Sequence, residues 1–200
     1  MELGERDRAE EMLRFAIDSG ELAASNDLAN LLRDTGRDAE AVQVLVRAAD
    51  AGDGQAADNL VSVFLDADEL APAVEAAERY ADDSRPDTVV ALADARAAAR
   101  RVDEAEQLYQ RARRLGALRA HTAYAAFLLD VRGDRAGAEN QLWEARRHRE
   151  PGAAGALGRF LLDDGRPDEA REHLVVGAAA GYRDAAAALA ELDGEDPYDD

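Results

Sequence analysis

The side chains able to do acid–base, nucleophilic or metal chemistry are few and scattered. The three histidines are His121, His148 and His173, and no HExxH or His/Asp/Glu spacing gathers donors round a metal ion. Cysteine is absent, which removes thiolate nucleophiles and disulfides. All 24 cations are arginine, so a Schiff-base lysine, a lysine general base and a P-loop lysine are excluded. His148 sits in an Arg-rich run near a helix C-terminus, where a cation is favourable. Arg132-Gly133-Asp134 spells an adhesion tripeptide but falls in a turn of the repeat described below. Gly152, Gly155 and Gly158 lie on one helical side. No strand precedes them, so they suit close helix approach or the shallow floor of a groove better than a phosphate loop. Carboxylate pairs are plentiful but fit the charged faces of amphipathic helices, and none is marked as buried. The expectation is a protein that is not an enzyme, with no cofactor and no metal.

Composition narrows the partners. The formal charge is −19, which repels phosphate backbones and anionic lipid surfaces. Nucleic acid and membrane are therefore not expected as partners, and a basic protein or peptide is. The start, Met1 to Met12, is charged and carries no apolar signal region, so a cytoplasmic location is expected. Apolar residues make up 47% of the chain but aromatics only 5%, and alanine dominates. An alanine-rich core fills little volume per side chain, which favours closely packed helices.

The elements that must position any site come from a repeat. Gly165–Gly181 nearly restates Gly36–Gly52. Anchored on one alanine, the phrase recurs at Ala9, Ala41, Ala73, Ala105, Ala138 and Ala170, with spacings of 32, 32, 32, 33 and 32. Four and seven residues on stand further apolar or small residues, such as Leu45 and Ala48 or Tyr109 and Ala112. These offsets share one helical face. Glycines five before and eleven after the anchor bracket this helix, with Asp68, Arg100, Ser84 and Arg149 as exceptions. A second helix precedes each anchor from Ala41 onward, marked by Leu28, Leu60, Leu92, Ala125 and Leu157. The pattern predicts helices near 6–18, 22–34, 38–50, 54–66, 70–82, 86–99, 102–115, 118–131, 135–149, 152–163, 167–179 and 183–192. One such pair is too small to bury its own apolar face, so stacked copies need the same residues in the same places.

Leu28-Ala29, Leu60, Leu92-Ala93 and Leu157-Gly158 in first helices resemble tetratricopeptide repeats. So do Ala41/Leu45/Ala48, Ala105/Tyr109/Ala112, Ala138/Leu142/Ala145 and Ala170/Leu174 in second helices. The early aromatic of the first helix and most inter-repeat prolines are missing, and the third copy swaps large and small residues at Ala77 and Tyr80. Arg96 occupies a normally buried column. The resemblance implies an all-α fold: a right-handed α-solenoid of antiparallel helix pairs, about five repeats of 32–33 residues with half-repeats at each end. Residues 1–192 would form a single repeat domain and 193–200 an acidic, disordered tail.

The resemblance also implies a function: a protein-interaction scaffold or adaptor whose first helices line an acidic, concave, peptide-binding surface. Family groove positions fall on Asn26, Asn30, Arg33, Asp58, Asn59, Ser62, Asp87, Val90, Asp94, Phe127 and Arg159. Asn30 and Asn59 match two asparagines of the clamp that grips chaperone tails, but Asn26, Asp87 and Ala91 stand where its cations belong, so chaperone tails are not expected. An alternative is a regulatory or sensor module controlling a separate catalytic or DNA-binding partner, and another is a self-associating structural protein. The first helix is a second helix without its mate, which makes Ala9, Leu13 and Ala16 a candidate N-terminal docking face and a possible homodimer contact.

Overall fold

The computed structural model describes residues 3–194. The acidic tail expected at 193–200 falls beyond them from residue 195 onward. Among the described residues twelve α-helices and one π-helical turn form, and no strand. The chain divides into two compact units, Met1–Ala117 and Leu118–Asp200.

The first unit holds α1 (Leu3–Asp18), α2 (Ala24–Arg33), α3 (Asp38–Asp50), α4 (Gly54–Asp66), α5 (Leu70–Tyr80), α6 (Pro86–Ala98) and α7 (Val102–Leu115). First helices α2, α4 and α6 pack on second helices α3, α5 and α7, and α4 also packs on α2 and α6. The anchor alanines Ala41, Ala73 and Ala105 are wholly buried, and Leu45 and Tyr109 are nearly so. This is close packing through small side chains, as the composition requires. In the swapped copy both Ala77 and Tyr80 are buried. The phenol of Tyr80 donates to Asp50 Oδ1 at 2.7 Å, so the larger ring fills the volume and its hydroxyl finds a partner. Arg96 keeps its buried column by pairing with Glu78 and Glu104.

The second unit holds α8 (Ala120–Phe127), a π turn (Leu128–Arg132), α9 (Arg135–His148), α10 (Ala153–Asp163), α11 (Pro167–Ala179) and α12 (Arg183–Asp193). Here α8 packs on α9, α10 on α11, and α12 on both α10 and α11. Ala138, Ala170, Leu157 and Leu174 are wholly buried. Helices α10 to α12 approach through glycine: a Cβ on Gly177 would stand 2.7 Å from that of Ala185, and one on Gly158 would meet Leu174 at 2.8 Å.

The glycine columns end helices in the left-handed conformation, as at Gly116, whose φ is 79°. Three of the four exceptions adopt it too: Asp68, Arg100 and Arg149 have φ of 58°, 60° and 57°. The fourth, Ser84, instead sits in a turn where its N–H donates to Asp82 Oδ1. Gly4 departs from its column, lying inside the first turn of α1.

Arginine ties successive second helices together. Arg37 forks onto Glu10 of α1 and Glu40 of α3, with bonds of 2.6 to 3.1 Å. Arg166 repeats the device on Glu139 and Glu169 at 2.6 to 2.8 Å. The planar guanidinium serves two carboxylates at once, which an ammonium does with far less geometric definition. The fork onto Arg37, with help from Arg14, holds the Glu10 carboxyl below the usual range.

Candidate functional site

On the first-helix face of Met1–Ala117, the expected groove residues divide into bonded and exposed groups. Gln55 donates to Asn59 Oδ1 at 3.1 Å, Asn59 to Asn26 Oδ1 at 2.7 Å, and Asn26 to Asp53 Oδ2 at 3.1 Å. This run of amides ends on a carboxylate that also caps α4, accepting from the backbone of Gln55 and Ala56. Arg33 is held by Asp66 at 2.9 Å. Asn30 and Ser62 are exposed. Asp94 accepts the phenol proton of Tyr109, and burial beside this carboxylate pushes the Tyr109 pKa upward.

Three groove assignments are overturned, at Asp58, Val90 and Phe127. Asp58 is 6% exposed, because its column continues as Val90 and Gly155, which are buried against neighbouring helices. Phe127 is 3% exposed, and its ring stacks on Tyr124 with centroids 6.1 Å apart. Its displacement comes from the π turn directly after it. The single spacing of 33, between Ala105 and Ala138, carries one extra residue, and the π turn absorbs it. Everything earlier in α8 therefore shifts one place in register. Exposed Ala126 takes the position held by Asn30, Ser62, Asp94 and Arg159 in other copies, while Phe127 joins buried Val63, Ala95 and Phe160.

In Leu118–Asp200 residues of α8, the π turn, α9, α10 and α12 line an open, mainly apolar recess of about 390 Å³. Ala126, Ala156, Arg159, Phe160 and Tyr182 are among its lining residues. The left-handed Gly152 lies under the ring of Tyr182, where a Cβ would approach to 3.6 Å.

A second polar cluster was not legible from spacing. Glu150 follows α9, is 9% exposed and accepts from the backbone N–H groups of His121 and Thr122, each at 2.9 Å. It also accepts from Thr122 Oγ1 at 2.7 Å and meets His121 Nδ1 at 2.6 Å. Burial pushes its carboxyl up, but the hydrogen bonds outweigh burial and hold it below the usual glutamate range. The carboxylate thus serves the exposed donors of the α8 N-terminus from 28 to 29 residues away in sequence. His148 stacks on His121 with centroids 4.8 Å apart. On α9, Trp143 is partly exposed and meets His173 of α11 edge-on at 5.3 Å. Among the described residues no group of three or more His, Asp or Glu side chains is placed to hold a metal ion.

On α1, Ala9, Leu13 and Ala16 are partly buried, and Leu13 packs with Ile17 on the core of α2 and α3. The more exposed apolar groups are Met12 at 64% and Phe15 at 74%, beside Ala16. In later copies the position of Met12 is taken by Val44, Ala76 and His173, all buried.

No protein-family model matches the chain, and no curated protein matches it. Solved structures do. A thermophilic tetratricopeptide repeat protein of Thermus thermophilus superposes with a TM-score of 0.65 at 21% identity, covering 86% of this chain and 98% of that one. A tetratricopeptide repeat protein of Parabacteroides merdae gives 0.55 at 14% identity, covering 96% and 87%. At these identities the likeness speaks for the backbone, and it agrees with the buried alanine columns and paired helices: the chain has the all-α repeat fold of the tetratricopeptide repeat proteins.

Proposed function

We propose that this protein is a non-catalytic interaction scaffold in the cytoplasm that holds a basic protein segment on its first-helix faces. Proteins of this fold serve generally to bind other proteins. The observation that favours a basic segment is the charge state of the face: Arg33 is neutralised by Asp66 and Arg159 by Asp163 and Glu191, within a chain of net charge −19. Exposed Asn30 and Ser62 supply donors and acceptors for a peptide backbone. The test is affinity capture from the organism's own extract, repeated across salt concentrations. A partner retained through this face dissociates steeply as salt rises. Asn30→Arg with Ser62→Arg weakens its capture by about tenfold or more, since two cations then face a basic segment. Capture insensitive to both changes overturns the reading. Among the described residues no helix is long and apolar enough to cross a membrane.

A second reading concerns α1, where Met12 and Phe15 are exposed side by side. In this reading the face docks a partner protein or a second copy. Phe15→Glu is the informative substitution, because Leu13 packs on the core and its replacement would confound docking with unfolding. Sedimentation and capture that Phe15→Glu leaves unchanged remove this reading.

A further inference from the structure

The recess in Leu118–Asp200 lies beside the π turn. Ahead of the π turn, Phe127 lies in the core and the first-helix face carries only a methyl group, that of Ala126. Leu129 and Asp130 of the π turn belong to the wall of the recess. From α10 comes Ala156, a side chain too small to fill the space, while Gly155 lets Ala185 of α12 approach closely, and Leu142 and Phe160 add to the lining. The result is about 390 Å³ of mainly apolar space, within the size range of ligand-binding clefts. Water inside it forfeits hydrogen bonds that an apolar group does not need.

The charged residues of the lining are mainly acidic. Asp130, Asp163 and Asp184 belong to the lining, with Arg159 as its one cation. Arg159 is already engaged by Asp163 at 3.0 Å and by Glu191 at 2.8 Å. Asp130 and Asp184 are left as negative groups beside an apolar hole.

We propose that this recess takes one bulky apolar side chain, leucine or phenylalanine, from a protein segment whose flanking residues are arginine or lysine. The apolar side chain supplies burial, and the flanking cations meet Asp130 and Asp184. This deepens, and rests on, the reading that the first-helix faces receive a basic segment, and it assigns to α8, α10 and α12 the anchor that sets which segment is retained.

The probe is a set of synthetic nonapeptides of alternating glycine and arginine whose central residue is Ala, Leu, Phe or Glu, titrated into the full-length chain. The Leu- and Phe-centred peptides bind about tenfold or more tightly than the Ala-centred one, as expected for burying a large side chain. The Glu-centred peptide binds most weakly. Ala126→Phe places a ring in the recess from an exposed position, so the fold is spared, and it removes the preference for Leu and Phe over Ala. Asp130→Asn with Asp184→Asn weakens all four peptides and flattens their salt dependence. Equal binding of the Ala-, Leu- and Phe-centred peptides, or a preference that survives Ala126→Phe, overturns the anchor. Capture of a basic partner from extract that Ala126→Phe leaves untouched also overturns it, while leaving the scaffold reading in place. Failure of capture alongside a Leu or Phe preference abolished by Ala126→Phe overturns the scaffold reading and keeps the recess.

Discussion

At the scale of single residues, Arg100 and Arg149 hold positive φ in columns where other copies use glycine. A left-handed residue with a Cβ costs about 1–2 kcal/mol. Arg100→Gly and Arg149→Gly are each expected to raise stability by up to about 1 kcal/mol, the extra freedom of glycine in the unfolded chain offsetting the rest. Asp68→Gly is expected to gain less, because aspartate tolerates this conformation better. Denaturant midpoints check the three together, and a loss on all three would contradict the conformational account. Glu150 behaves in the opposite way. Its folded-state carboxyl is held below the usual glutamate value of 4.5. The stability it contributes is therefore fully present above that value and is lost as pH falls through the lower, folded value. Glu150→Gln turns an amide N–H₂ toward donors at the start of α8 and is expected to cost about 1–3 kcal/mol. Melting followed from neutral to acid pH should show a shallower acid limb in the variant.

At the scale of elements, the register of the repeat was legible because alanine at one fixed offset is demanded by close helix contact. Leu157 and Leu174, read from those columns, are wholly buried. Leu157→Ala is expected to lower stability by about 2–5 kcal/mol, measured by chemical denaturation. The face of α8 was not legible, although its cause was printed in the sequence as the one spacing of 33. An extra residue can be taken up in a loop or inside a helix, and periodicity does not distinguish the two. It is taken up inside the helix here, so the residues before it rotate while those after it do not. Deleting Val131 would restore a spacing of 32 and close the π turn into regular α-helix, leaving Phe127 and Tyr124 in the buried columns of Val63 and Leu60. A loss of about 3 kcal/mol or more on denaturation, the scale of exposing two aromatic rings, would contradict this register. Glu150 was invisible for another reason: it serves helix donors 28 to 29 residues away, outside the reach of local motifs.

For the whole molecule, candidate functional surfaces and reporter groups are unevenly distributed along the chain. The amide run from Gln55 to Asp53 and the exposed apolar pair Met12 and Phe15 belong to Met1–Ala117, and the recess to Leu118–Asp200. The sequence contains a single tryptophan, Trp143, which lies in the second of these units. Its indole meets an imidazole edge-on, and that imidazole, His173, is depressed below its usual 6.5, first by burial, with Arg146 adding to the effect. The folded protein therefore keeps His173 neutral until the solution is more acidic than 6.5, and acidification past that point works against folding. A protonated imidazole quenches indole emission by contact. The intrinsic fluorescence of the native chain should fall along a single titration with its midpoint below 6.5, and His173→Gln should remove that titration. This contact gives the protein an internal optical pH gauge, read without attaching any dye.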